Sequence, residues 1–382
     1  MKEAEEFLTK KREFIVVVAG GTAGHVFPAI SLADVLHSRG YRVAFGIDKR
    51  GLRYTASFEE NIVLKTIRSG RLRNKGILDS FFSFFSIILG IFEALFWFAL
   101  DRPRCIVGFG GYPSFPGLCA ALLLRIPFVI HEQNSVLGLV NHIFASRARL
   151  VVLGMPEVTN LPTGVSPVYV GNPVRDEVVE FSETHPYSPV RSDGKICILV
   201  FGGSQGSRIF SETLKNVLPL LDAALLKRLV IWHQVRAEDE VALRSFYEQK
   251  CIENIVKPFF NRLPMRMADA HLVISRAGAI TIAELSILGR PSILAPLPAA
   301  TSDHQMKNAQ TLEKAGAAIL WTDKQFKDSQ ATAKMLESLL SDSARMMDMA
   351  NKAKALGVAD ASTNFANKIM QLNLKERKGV KA

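Results

Sequence analysis

The run Ser275, Arg276, Ala277, Gly278, Ala279, Ile280, Thr281, Ile282, Ala283, Glu284, Leu285 has the residue types of a corner that binds phosphate and sugar. It follows an apolar stretch, 271–274, that reads as a buried strand. Ile280, Ala283, Leu285 and Leu288 then recur at helical spacing. A strand, a turn of small residues and a helix N-terminus present unpaired backbone N–H groups with partial positive charge, which favours a phosphate. Glu284 lies about one and a half turns into that helix, at ~3.6 residues per turn. A carboxylate so close to a phosphate is costly unless it binds something neutral. A ribose fits, because a carboxylate accepts from two hydroxyls at once. The bland alternative is an ordinary strand-to-helix corner with a solvated glutamate.

The elements that must position this corner repeat along the chain. The β-branched run 14–18 reads as a central parallel strand. Gly20, Gly21, Thr22, Ala23, Gly24 and His25 follow it. A helix is predicted over 28–39, with Pro28 in its first turn and Gly40 ending it, and then a strand over 41–47. This is a phosphate-cradling unit, but the dinucleotide pattern G-x-G-x-x-G is not matched, so NAD is not favoured. Gly108, Phe109, Gly110, Gly111 and Tyr112 lie between strand 105–107 and a helix predicted over 115–125. Strand 128–130 ends in His131, Glu132, Gln133 and Asn134. Four hydrogen-bonding side chains at a strand's C-terminal end match the place where open α/β sheets take ligands, although a lone histidine there is more often structural. The polar stretch 184–194 reads as a linker, after which the layout returns: strand 196–201, then Gly202, Gly203, Ser204, Gln205, Gly206 and Ser207, then a helix from Arg208. Further strands are read over 229–232 and 291–294. The latter leads into a helix carrying Gln305 and Asn308, three apart on one face and suited to reading sugar hydroxyls.

Composition bounds the partners. The chain has 382 residues, 48% hydrophobic and 22% charged, which suits two globular domains. Its 47 Lys and Arg against 36 Asp and Glu give a net charge of +11, so an anionic partner is expected: a phosphorylated substrate or an anionic membrane. Nucleic acid is disfavoured, because neither zinc-finger spacing nor an aromatic RNA-binding motif occurs. Cys105, Cys119, Cys197 and Cys251 lack metal-ligand spacing and read as reduced, buried thiols of a cytosolic protein. The apolar run 14–19 is too short for a signal-peptide core.

The segment 80–100 is the least ordinary. It is rich in phenylalanine, including Phe81, Phe84, Phe85 and Phe92. As a helix it would be roughly 30 Å long, enough to cross a bilayer. Glu93 near its centre would cost about 2.5–3.5 kcal/mol there. A single crossing would also separate strand 105–107 from strand 14–18, which should share its sheet, so a span is not expected. Asp79, Ser83, Ser86, Gly90 and Glu93 form one narrow small or polar stripe. Either this is a core helix with that stripe toward solvent, or it lies in a membrane interface beside Arg68, Arg71, Arg73 and Lys75.

Two doubly wound, Rossmann-like α/β halves with parallel sheets facing a central cleft are the GT-B arrangement of glycosyltransferases. The order of motifs narrows this. The turn at 20–25, Gly110-Gly111-Tyr112, the run 131–134, Gly171-Asn172-Pro173-Val174-Arg175, the turn at 202–206, the run 275–279 and His304-Gln305 with Asn308-Ala309 occur in one order. In these the chain resembles the MurG family, bacterial transferases that add N-acetylglucosamine from UDP-N-acetylglucosamine (UDP-GlcNAc) to undecaprenyl-pyrophosphoryl-N-acetylmuramyl-pentapeptide. The resemblance runs from about residue 14 to about residue 318 and departs at Ala23, where the family usually has glycine.

The resemblance implies an inverting enzyme of peptidoglycan synthesis, needing no cofactor, peripheral on the cytoplasmic face of the bacterial inner membrane. Its partners would be UDP-GlcNAc, the undecaprenyl-linked acceptor, an anionic membrane surface and other cell-wall synthesis proteins. Residues 1–183 would take the lipid acceptor and 184–360 the UDP-sugar, with 361–382 a helix and polar tail returning to the first domain. No Asp-x-Asp occurs to clamp a metal on the diphosphate. Leaving-group charge must then fall to helix N-termini and N–H groups at Ser204 and 277–281, with Arg175 as a side-chain cation. By resemblance Glu284 takes the ribose, Phe260 lies at the uracil, and Ala279, Ile280, Thr281, Ile282 and Ala283 bind the UDP-sugar. Gln305 and Asn308 face the sugar, while Thr22, Ala23, Gly24 and Asn134 complete the cleft. His25 is the first candidate for the general base and Glu132 the second, unless His25 only shapes its turn. Phe81, Phe84, Phe85 and Phe92 with Arg71, Arg73 and Lys75 would contact the membrane. Two rival readings share this architecture, a UDP-GlcNAc 2-epimerase and a UDP-sugar-binding protein without catalysis.

Overall fold

The computed structural model describes residues 13–55, 62–70, 77–190, 194–203, 207–298 and 303–372, the side chains of 77–80 excepted. Arg71, Arg73, Lys75 and Ser204 therefore lie outside the described residues. The chain forms two compact units, Met1–Pro173 with Asp360–Ala382, and Val174–Ala359.

The first unit, single-turn helices aside, runs β1 (Phe14–Ala19), α1 (Ala23–Ser38), β2 (Arg42–Ile47), β3 (Val63–Thr66), α2 (Ile77–Leu100), β4 (Cys105–Gly108), α3 (Gly111–Leu123), β5 (Phe128–Glu132), α4 (Leu139–Ala145), β6 (Leu150–Leu153) and β7 (Val168–Tyr169). The second runs α5 (Asp176–Thr184), β8 (Ile196–Phe201), α6 (Arg208–Val217), β9 (Leu229–Gln234), α7 (Glu240–Gln249), β10 (Glu253–Lys257), α8 (Leu263–Asp269), β11 (Leu272–Arg276), α9 (Ala279–Leu288), β12 (Ser292–Ala295), α10 (His304–Lys314), β13 (Ala318–Leu320), α11 (Ser329–Leu340) and α12 (Ser343–Leu356). The last helix, α13 (Ala361–Gln371), belongs to the first unit.

Each unit holds one parallel sheet, ordered β3-β2-β1-β4-β5-β6-β7 and β10-β9-β8-β11-β12-β13. Both are doubly wound: the chain builds outward from β1 or β8 on one side, then returns to β4 or β11 and builds outward on the other. Ligands of such sheets bind at that reversal, beyond the strands' C-terminal ends. The Gly-rich turns after β1, β4, β8 and β11 all stand at these two reversals.

β1 shows why its sequence is continuously apolar. Ile15 and Val17 pack with Leu32 and Leu36 of α1, whereas Val16 and Val18 pack with Phe98 of α2 and Leu118 of α3. Both faces are covered, so every residue is buried. The helices begin earlier than the turn residues suggest. α1 starts at Ala23 and α3 at Gly111, because each Gly-rich turn leads directly into its helix.

α5 was not expected. It buries Val178 and Phe181 and packs on α8 and α9, so the compact units divide at Pro173 and Val174 rather than at 183 and 184. In the first unit, α13 packs on α1. Its Phe365 is fully buried against Phe109 and His131, and Arg39 donates to Asn367 Oδ1 at 2.7 Å. Burial of a phenylalanine stabilises by about 1.5–3 kcal/mol. Among the cysteines, Cys105 and Cys197 are buried as expected, but Cys251 is exposed on a left-handed turn with φ +54°.

Ser83, Ser86, Gly90 and Glu93 of the small stripe on α2 face the chain at 68–70, the reverse of the core-helix reading. A Cβ on Gly90 would overlap the carbonyl oxygen of Arg68, and one on Gly70 would overlap that of Ser83. Ser86 Oγ donates to Ser69 O at 3.1 Å, and Glu93 accepts from Arg68 N at 2.9 Å while pairing with its guanidinium at 3.2 Å. Small residues thus let the chain at 68–70 lie directly on the helix. The phenylalanines are left on the other side: Phe81, Phe82, Phe84, Phe85, Phe92 and Phe96 are 54–69% exposed. By length and composition Phe81–Leu100 could cross a membrane. The parallel pairing of β1 with β4, on either side of α2 in the chain, leaves no place for a single crossing.

Candidate functional site

In the first unit, Asp48 at the end of β2 holds the turn after β1. Its buried Oδ1 accepts from Gly21 N at 2.8 Å and Gly51 N at 3.1 Å. A side chain at Gly20 would overlap that oxygen. The turn after β4 passes through the left-handed region at Gly110 (φ +73°) and Gly111 (φ +68°), conformations that glycine adopts without strain. His25, on the first turn of α1, reaches across to it. Its Cε1 and Nε2 stand 3.4 and 3.5 Å from where a Cβ on Gly111 would be. Its Nδ1 is 3.0 Å from Thr22 Oγ1. The tautomer that donates Nδ1–H to Thr22 keeps the lone pair on Nε2, as a base requires. Ala23 is the first helical residue, where a methyl replaces the family's glycine without strain. Arg50 Nη1 donates to Tyr112 Oη at 3.2 Å beside the same turns.

The run 131–134 divides differently from expectation. His131, Glu132 and Gln133 are buried at 0%, 3% and 2% exposure, and only Asn134 is half-buried. Gln133 Nε2 donates to Phe109 O and to His131 Nδ1, both at 3.0 Å. His131 Nε2 faces Gly171 O at 3.4 Å. Burial brings the His131 pKa down to about 3, so the ring is neutral. Glu132 Oε1 accepts from Asn134 N and Nδ2, both at 3.1 Å. Its Oε2 accepts from Gly138 N at 2.8 Å and Asn141 Nδ2 at 2.9 Å. Four donors fill a carboxylate's four acceptor positions, which favours a holding role for Glu132 over that of the alternative base. Asn172 Nδ2 ties this corner to Gly154 O and Gln133 O.

In the second unit, β11 ends at Arg276, and Gly278 caps α9 with extended backbone. Asn308, expected to face a sugar, is fully buried and donates to Ala277 O at 3.2 Å. It fixes the turn instead. Gln305 is half-buried on the same helix and accepts from Leu297 N at 2.9 Å. Ala279, Ile280 and Ile282 are buried, so they offer backbone rather than side chains, while Thr281 and Ala283 reach the surface in part. Arg276 pairs with Asp323 and donates to Ser207 Oγ at 3.1 Å, bracing the turn after β8. Gln234 Nε2 links that turn at Gly203 O, 3.4 Å, to Pro258 O, 3.2 Å. Phe260 is 6% exposed and its neighbour Phe259 64%, so Phe260 can present only its backbone.

Arg175, expected as a side-chain cation for the leaving group, is paired with a carboxylate. Its Nε and Nη2 donate to Glu284 Oε1 at 3.1 and 2.7 Å. Glu284 is 4% exposed, and burial raises its pKa while Arg175's charge opposes the rise. Its Oε2 takes no hydrogen bond among the described residues. Asp48, Asn141, Asn172, Gln234 and Arg276 received no role from the sequence. Asp48, Gln234 and Arg276 sit at strand ends, and that position is the signal that could have found them, whereas Asn141 lies on α4 and Asn172 beyond β7.

Residues 15–153 match the family described as glycosyltransferase family 28 N-terminal domain, and residues 197–365 the glycosyltransferase family 28 C-terminal domain. A relative from Rhodospirillum centenum is 41% identical over 93% of both chains. One from Brucella abortus is 38% identical over 92% of both. Both bear the name UDP-N-acetylglucosamine–N-acetylmuramyl-(pentapeptide) pyrophosphoryl-undecaprenol N-acetylglucosamine transferase. A crystal structure of Acinetobacter baumannii MurG superposes with a TM-score of 0.75 at 27% identity, covering 94% of this chain and all of that one. A UDP-N-acetylglucosamine 2-epimerase structure superposes at 0.64 with 13% identity over 95% of this chain and 96% of that one, a likeness of fold alone. With both family matches and this identity spread along nearly its whole length, the chain belongs to glycosyltransferase family 28.

Proposed function

We propose that this protein transfers N-acetylglucosamine from UDP-GlcNAc to undecaprenyl-pyrophosphoryl-N-acetylmuramyl-pentapeptide in peptidoglycan synthesis. The observation that carries the reading is 41% identity over 93% of the chain to a transferase of that name. The geometry supports it residue by residue. Glu284 takes the ribose hydroxyls with Oε2, and Arg175 holds its other oxygen. The backbone at 258–260 meets the uracil, with Phe260 contributing main chain only. The N–H groups that open α9, at Ala279, Ile280 and Thr281, receive the diphosphate together with the turn that carries Ser204. Gln305 faces the sugar from α10, and Asn308 keeps the Ala277 turn in shape.

The acceptor belongs to the first unit, where the Thr22–Gly24 turn and Asn134 stand. Its hydroxyl attacks C1 of the sugar from the face opposite the phosphate and inverts it. His25 Nε2 takes the hydroxyl proton, the new C–O bond forms, and the bond from C1 to the phosphate oxygen breaks to release UDP. The enzyme attaches peripherally to the cytoplasmic face of the inner membrane through the outward phenylalanines of α2, because the acceptor's polyprenyl tail stays in the bilayer.

The test is UDP release from UDP-GlcNAc, with and without purified lipid acceptor, and with and without EDTA. Release that depends on the acceptor and ignores EDTA is expected. Conversion of the sugar without acceptor would indicate an epimerase. Tight binding without turnover would indicate a sensor.

A further inference from the structure

We infer that Glu132 is a positioning residue that sets the amide of Asn134 for the transfer. The inference rests on the function proposed above and concerns the first unit alone. Glu132 ends β5, and its carboxylate gathers donors from the next ten residues of chain. Both N–H groups on Oε1 come from Asn134, backbone and side chain, each at 3.1 Å. On Oε2, Gly138 N arrives from the cap of α4 and Asn141 Nδ2 from its first turn. The same Asn141 Nδ2 donates to His131 O at 3.0 Å, and Asn141 lies directly under Gly110.

One buried carboxylate therefore connects the strand end, the 133–138 loop, the start of α4 and the floor of the second Gly-rich turn. A residue so bound cannot take a proton from substrate without losing one of its donors. What it does is hold Asn134 Nδ2 inward, which turns the amide oxygen of Asn134 away from the carboxylate. Asn134 is the one member of the run 131–134 that reaches the surface. Glutamine is no substitute here. Whichever way its amide is turned, an N–H₂ group meets two N–H donors.

The experiment measures steady-state kinetics of wild type, Glu132→Gln, Asn134→Ala and the double variant, with purified lipid acceptor and UDP-GlcNAc, across pH. Glu132→Gln should lower kcat on the order of 10²-fold, the scale of a misplaced group. The donor KM and the pH positions of both limbs should stay as in wild type. Asn134→Ala should fall by a similar factor, and the double variant should fall no further than Asn134→Ala, because the two residues act as one unit. Losses that multiply, or an acidic limb missing only in Glu132→Gln, would overturn the inference. If Glu132→Gln does not fold, Asn134→Ala decides alone: retention of most of its kcat overturns it. A wild type that releases no UDP with acceptor sinks the proposed function instead, which keeps the two failures apart.

Discussion

Arg175 donates twice to one oxygen of Glu284, from Nε at 3.1 Å and Nη2 at 2.7 Å, across 109 positions of sequence. The pair offsets the cost of burying the carboxylate, and the second oxygen takes no hydrogen bond among the described residues. Glu284→Ala should raise the UDP-GlcNAc KM and lower kcat/KM by ~10–150-fold, since hydrogen bonds to a charged group contribute about 1.5–3 kcal/mol. An unchanged donor KM would remove Glu284 from the ribose. Arg175→Ala should lower the melting temperature more than Glu284→Gln does, because it strands a buried charge.

His25→Ala should lower kcat by about 10²-fold or more while donor affinity, read by calorimetry, holds. His25 bridges two Gly-rich turns, so a structural role predicts something else: kcat largely kept, with the acceptor KM raised.

Phe81, Phe84, Phe85 and Phe92 of α2 are more than half exposed and, unlike Phe98, lie outside the core, so their replacement should spare the fold. Changing Phe81, Phe84, Phe85 and Phe92 to Ser should release the protein from anionic vesicles while leaving UDP binding intact. The apolar face contributes about 25 cal/mol per Å² buried, and high salt does not screen that share. Salt should therefore weaken wild-type attachment only in part. Loss of soluble protein in this variant would assign these four phenylalanines to the core.

Two buried histidines tie stability to pH. His131 in the first unit and His233 in the second are both fully buried, and burial lowers each pKa to about 3. Unfolded histidine titrates near ~6.5, so below that pH the unfolded chain binds protons that the folded chain refuses. Stability present above pH ~6.5 should be lost as the pH falls toward 3, by roughly a kcal/mol per histidine at pH ~5.5. Thermal unfolding at neutral pH and at that lower pH checks this. His233→Gln should weaken the dependence in the second unit only, where burial also lowers the His271 pKa, and a midpoint that does not move with pH would contradict both assignments.

The parts legible in the sequence were local. Continuous β-branched runs identified central strands, because a strand covered on both faces has no polar side. Gly-rich turns identified the switch points, because only glycine takes the left-handed angles at 110 and 111 without strain. The order of these units carried the fold and the family. What lay beyond the sequence was direction and pairing. The stripe on α2 is the same whether it faces water or protein. Only the chain at 68–70 lying on Gly90 turns it inward and the phenylalanines outward. His131, Glu132, Gln133 and Asn134 look alike as polar residues at a strand end, yet three are buried because Asn141, Gly171 and Phe365 arrive from elsewhere to satisfy or cover them. Asn308 and Arg175 likewise found protein partners, Ala277 and Glu284, that spacing within a helix or a motif could not reveal. A buried polar group must be satisfied, and tertiary structure alone decides by what.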